Sequence, residues 1–109
     1  MRKKIVLIDD DVLVRMTWRV AASTGLVDFS DFPSAQEFLN KISDFDLETK
    51  IYLDSNLGEV SGQEVACLLY YLYGFKQLYL ATGYPKTHFV GIPWVHEVIR
   101  DIVGKEPPF

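Results

Sequence analysis

Two short apolar runs in this chain end in carboxylates. Residues 5–8 (IVLI) stop at Asp9, Asp10 and Asp11, and residues 51–53 (IYL) stop at Asp54. An unbroken apolar run of this length marks a strand buried on both faces, a pattern that belongs to parallel sheets covered by helices. The acids then fall where such strands leave the core.

The segments between the runs carry helical signals. Over residues 12–23, Leu13, Met16, Val20 and Ala21 recur at helical spacing, Asp11 can cap the start, and Gly25 suits the stop. Residues 26–29 read as a second strand. Ser34 to Glu37 (SAQE) has the form of a capping box leading into Phe38, Leu39 and Ile42, and Ser61 to Glu64 (SGQE) repeats it before a helix over residues 65–73 that Gly74 ends. A fourth apolar run, residues 78–81, stops at Thr82 and Gly83, and a fifth strand over residues 99–103 leads to Lys105. Pro85, Gly91 and Pro93 exclude one long helix between them and leave an irregular one from Pro93 to about Ile99. Strands alternating with helical crossovers imply an α/β fold with a doubly wound, five-stranded parallel sheet.

With 109 residues, 49% of them apolar, the chain has material for one core, so residues 1–109 are expected to form a single domain. A net charge of -4 argues against a nucleic-acid or anionic-membrane surface. Cys67, the one cysteine, has no internal disulfide partner, and no apolar run approaches the roughly 18 residues of a membrane span. A soluble, cytoplasmic protein is the expectation.

In a doubly wound sheet the strands' carboxyl ends share one edge, and ligands bind there. That edge should gather Asp9 and Asp10, Asp54, Thr82 and Lys105. Clustered carboxylates call for a cation, and an all-oxygen set suits Mg²⁺. Zinc is disfavoured, because His88 and His96 lack any ligand spacing. An aspartate beside Mg²⁺, faced by a hydroxyl and an ammonium, is arranged to accept a phosphoryl group. Thr82 would hydrogen-bond the product, and Gly83 would leave it room.

These pieces taken together, "IVLIDDD" with Arg15 following, "YLDSN", "SG" at Ser61 and Gly62, "LATG" and "GKEPP", resemble the receiver domain of two-component response regulators over essentially the whole chain. The resemblance implies the flavodoxin-like strand order 2-1-3-4-5 and Asp54 as phosphoacceptor. It also implies Asp10 as a direct Mg²⁺ ligand, Asp9 as a ligand through water, and the main-chain carbonyl of Asn56 as a further ligand. Thr82 and Lys105 become the switch pair, and Asn56 and Tyr84 flank the acyl phosphate and influence its lifetime. A histidine kinase or phosphotransfer protein becomes the partner.

The chain departs from the family's pattern at several points. Gly58 stands where proline is common, which implies a more mobile loop, and Ile102 replaces the aromatic residue that often swings with phosphorylation. Residues 84–99 are irregular, and no fifth helix follows Lys105. The lost helix is expected to expose apolar surface from strands one, four and five, to be covered by a homodimer, an adjoining domain or the tail "EPPF".

Plainer roles stand beside these. Asp11 reads first as a cap, Asp9 and Asp10 can serve a helix dipole, Thr82 and Gly83 can be a turn, and Lys105 an exposed lysine. Trp18 and Trp94 read as packing residues, whereas Tyr70, Tyr71, Tyr73 and Phe75 are too dense for all to face inward and suggest a docking patch. The function expected is a phosphoacceptor in a two-component or phosphorelay pathway rather than a turnover enzyme. The alternative is a degenerate receiver that works as a phosphorylation-independent interaction module, and a small phosphatase comes last for want of a second general acid.

Overall fold

A computed structural model describes residues 3–25 and 27–109. In chain order the elements are β1 (Lys3–Ile8), α1 (Val12–Ala22), β2 (Val27–Phe32), α2 (Ala35–Asn40), β3 (Lys50–Leu53), β4 (Asn56–Leu57), β5 (Val60–Ser61), α3 (Gly62–Tyr71), β6 (Leu78–Ala81), α4 (Val95–Val98) and β7 (Asp101–Val103). The expectation that the second strand includes residue 26 lies outside the described residues.

Five strands form one sheet in the order β2-β1-β3-β6-β7, every neighbouring pair parallel. This is the order 2-1-3-4-5 counted over the long strands. β4 and β5 form a separate antiparallel hairpin whose turn holds Gly58 at φ 85°, a left-handed conformation that glycine adopts freely. The loop after Asp54 is therefore a short hairpin, not an open connection.

Alternation along β1 supplies both cores. Val6 and Ile8 face one side, with Phe38, Leu53, Leu69, Phe75 and Phe89, beneath α2, α3 and α4. Ile5 and Leu7 face the other, with Trp18, Tyr52 and Ala81. Both capping boxes form on their serine side: Ser34 Oγ accepts from the Glu37 N–H and Ser61 Oγ from the Glu64 N–H. Ser61 Oγ also lies 3.1 Å from Glu64 Oε1.

The face that α1 presents differs from the expected one. Leu13, Met16 and Val20 are 69%, 49% and 70% exposed, whereas Trp18 is fully buried. At 100° per residue both stripes fit helical spacing, so spacing alone does not fix the rotation. Arg15 and Arg19 reach Asp31 on β2 at 3.5 and 2.8 Å, and together with the large Trp18 ring they turn the smaller apolar stripe outward. The end of α1 differs too. Its C-cap is Ser23 in a right-handed conformation, and the Ser23 and Thr24 hydroxyls donate to the Val20 and Ala21 carbonyls, so Gly25 is not the stop. Gly74 does follow α3 at φ 85°.

Residues 84–99 are irregular as expected, with a 3₁₀ turn at Lys86–Phe89 and an α4 of only four residues in place of the expected helix from Pro93 to about Ile99, anchored by buried Phe89, Val95 and Val98. Of the aromatic patch, Phe75 is core and Tyr70 half-buried under the Lys76 ammonium, while Tyr71 and Tyr73 are exposed. Among the described residues no helix follows β7. The apolar surface expected to be bare is instead buried or half-buried: Ile5, Leu7 and Ala81 lie under Trp18, and Phe109 returns to pack edge-on against Trp18 and tilted against Phe29, both at 5.8 Å. Of the tail, Phe109 covers Trp18 and Phe29, while Tyr79 on β6 and Val103 on β7 stay half-buried. No helix among the described residues is long and apolar enough to cross a membrane.

Candidate functional site

The parallel register sets the end of β1 beside the end of β3, with Ile8 opposite Leu53, and the Asp54 N–H donates to the Ile8 carbonyl at 2.9 Å. Each strand's next residue is an aspartate. As a result one carboxylate oxygen from each of Asp9, Asp10 and Asp54 lies within 4.8 Å of the others. Asp9 is buried, Asp54 half-buried and Asp10 exposed.

Lys105, just beyond β7, spans the cluster. Its ammonium donates to Asp9 Oδ2 at 2.7 Å and lies 2.9 Å from Asp54 Oδ1. Burial by itself would lower this ammonium's pKa, but the bonds to Asp54 and Asp9 outweigh it and hold the group above its ordinary value. Asp9 has the opposite balance. Burial raises its carboxyl pKa above the usual range, although Lys105 and the Asp11 N–H, 2.9 Å from Asp9 Oδ1, pull it back.

Two like charges about 4 Å apart repel by about 4 kcal/mol at an effective dielectric of 20. One ammonium among three carboxylates leaves the site net negative. The donor set fits a hard divalent cation such as Mg²⁺: it is all oxygen, it converges, and one member is forced into burial at an electrostatic disadvantage that a cation would relieve.

Thr82 follows β6 on the same edge, and its N–H donates to the Val103 carbonyl at 2.9 Å. Its buried hydroxyl pairs with Ser55 Oγ at 2.8 Å and accepts from the Tyr84 N–H at 3.2 Å. Gly83 borders open space, since a Cβ added there meets nothing within 4 Å. Tyr84 is half-exposed and stacks on His88 at 4.2 Å, outside the carboxylate cluster. Asn56 opens the hairpin two residues after Asp54, and its side-chain oxygen accepts from the Gly58 N–H at 3.3 Å. Asp11 caps α1, accepting from the Leu13 N–H at 2.9 Å.

Four supporting roles escaped the sequence reading. Ser55 partners Thr82. Arg15 donates to the Asp9 carbonyl at 2.7 Å. Gly62 lets the start of α3 approach Asp54 so closely that any Cβ there would overlap the Asp54 carbonyl. The Trp18 indole N–H donates to the Lys105 carbonyl at 2.8 Å. Gly62, Arg15 and Ser55 lie within motifs that the sequence singles out, though not in these roles, whereas Trp18 reads only as a packing residue.

No protein-family model matches the sequence, and no curated protein matches it. Solved structures do match. The signal receiver domain of an HD domain-containing protein from Pseudomonas fluorescens superposes with a TM-score of 0.79 at 15% identity, covering 95% of this chain and 76% of that one. A CheY-like response regulator receiver domain protein from Methanospirillum hungatei gives 0.77 at 21%, covering 100% and 84%. The response regulator TrrA from Thermotoga maritima, in complex with Mg²⁺ and a beryllofluoride, gives 0.75 at 20%, covering 98% and 90%. The chain thus has the receiver fold of response regulators.

Proposed function

We propose that the chain is a phosphoacceptor receiver in a two-component or phosphorelay pathway, with Asp54 the acceptor and a histidine kinase or phosphotransfer protein the donor. The observation that carries this reading is the Lys105 ammonium set between Asp9 and Asp54 at the carboxyl edge of the sheet. It supplies a nucleophile, a cationic counter-charge and a metal-type carboxylate set in one place.

An Asp54 carboxylate oxygen attacks phosphorus while the bond from phosphorus to the donor's imidazole nitrogen breaks. The electron pair leaves with the imidazole, which takes a proton from solvent. Asp9, Asp10 and Asp54, with the Asn56 carbonyl, would hold Mg²⁺, whose chemistry is to neutralise charge on the phosphoryl oxygens. Lys105 would neutralise a further oxygen, and Thr82 would donate its hydroxyl to the product once that group turns from Ser55. Gly83 leaves space for entry, and Asn56, two residues after Asp54, would influence the phosphoryl lifetime, with Tyr84 doing so only on leaving its stack on His88. The chemistry is one transfer onto the chain and later hydrolysis, in the cytoplasm, not steady turnover.

The test is incubation with Mg²⁺ and acetyl phosphate, read by intact mass. Wild type should gain one phosphoryl group and Asp54→Asn none; no gain in wild type, or an equal gain in both, refutes the reading. A second reading, a phosphorylation-independent interaction module, is favoured by the exposed stripe Leu13, Met16 and Val20. Partner binding indifferent to both Mg²⁺ and acetyl phosphate would support it.

A further inference from the structure

Lys105 is held at both ends. Its ammonium sits between Asp9 and Asp54, and its main-chain carbonyl accepts the indole N–H of Trp18, 87 residues away, at 2.8 Å. Neither β7, which ends at Val103, nor any following helix fixes this residue's backbone. The indole is itself immobilised. Trp18 is fully buried, with Tyr52 edge-on at 5.3 Å, Phe29 tilted at 6.2 Å and Phe109 edge-on at 5.8 Å. Its N–H is a donor that, once buried, must be satisfied, so bond and packing reinforce one another.

We propose that Trp18 is a positioning residue for Lys105, and that the returning tail through Phe109 closes the clasp that keeps the lysine ammonium between Asp9 and Asp54. The proposal rests on the reading of Asp54 as phosphoacceptor for its consequence in phosphoryl transfer, though not for its consequence in metal binding. A clasped ammonium competes with a divalent cation for the same two carboxylates. It is also preset to neutralise a phosphoryl oxygen without first having to be recruited. Loosening the clasp should therefore push two measurements in opposite directions: Mg²⁺ should bind more tightly, and Asp54 should be phosphorylated more slowly. A general loosening of the fold would instead weaken both.

The experiment compares the full chain with its Trp18→Phe and Phe109→Ala variants, each first checked for a folded amide NMR spectrum. Mg²⁺ alone is titrated by NMR, and the rate of phosphorylation by acetyl phosphate at saturating Mg²⁺ is followed by mass. Trp18→Phe should tighten Mg²⁺ binding and slow phosphorylation, each by about fivefold, the factor that one ordinary net hydrogen bond is worth. Phe109→Ala should give the same two signs with smaller size, and it decides the matter alone where Trp18→Phe does not fold. Mg²⁺ affinity unchanged or weakened in the folded variants overturns the proposal. A wild type that takes up no phosphoryl group while the Mg²⁺ changes appear as stated overturns the acceptor reading and supports the clasp.

Discussion

The two faces of the sheet are closed by different means. On one, α2, α3 and α4 seal a core that includes Phe38, Phe75 and Phe89. On the other, Trp18 of α1 packs with Ile5, Leu7, Tyr52 and Ala81, Phe109 of the irregular segment 104–109 adds a ring at the margin, and Trp18 joins helix, sheet and tail. The first face is held by many interlocking apolar groups. The second depends on a few aromatic contacts and one indole hydrogen bond, and it is this thinner face that holds the backbone of Lys105. Stability and chemistry are thus unevenly shared between the faces.

The largest effect expected from this contrast is on the thick face. Phe38→Ala removes a fully buried ring that neighbours Phe32, Phe45 and Phe75, and should cost about 3–5 kcal/mol in urea unfolding. Phosphorylation of the chains still folded should be unaffected. Next comes alkali on the thin face. Burial pushes the Tyr52 phenol up to about 12, so the folded chain keeps this proton where the unfolded chain, at about 10, has lost it. The associated stability is complete below about pH 10 and disappears between about pH 10 and 12, amounting to about 3 kcal/mol at most. Lys105, also raised, adds a loss of the same sign above its ordinary value of 10.5. Urea midpoints on either side of that window should fall less in Tyr52→Phe than in wild type, and an equal fall would break the assignment.

Smaller still is Phe109→Ala, which removes a half-buried ring at the margin and should cost about 1 kcal/mol. A loss matching that of Phe38→Ala would mean that the thin face is packed as tightly as the thick one. Smallest is the outward stripe of α1: Leu13→Lys and Val20→Lys should each change stability by no more than about 0.5 kcal/mol. A loss well above that would place the stripe in contact with something in solution.

Much of the fold was legible because its signals are local. The runs ending at Asp9, Asp54 and Thr82 are strands, the serines of SAQE and SGQE cap helices, and Pro85, Gly91 and Pro93 do break up residues 82–100. The convergence of Asp9, Asp10, Asp54 and Lys105 followed from a rule about parallel sheets rather than from any spacing between them. The rotation of α1 was misread, because Leu13, Met16 and Val20 keep helical period as well as Trp18 does, and the deciding ion pairs to Asp31 lie on another strand.

What the sequence determined by itself is the order and type of the main strands and helices, and that acids follow two of the strands, while several element boundaries and the β4–β5 hairpin came only with the structure. Apolar runs and side-chain caps act within a few residues, so their pattern survives in the linear chain. Only the tertiary structure decided which side of α1 is buried, that Ser55 pairs with Thr82, and that Trp18 holds Lys105 from 87 residues away. Each of these is a contact between distant elements, and such contacts are chosen by packing volume, register and the need to satisfy buried donors, none of which leaves a period in the sequence.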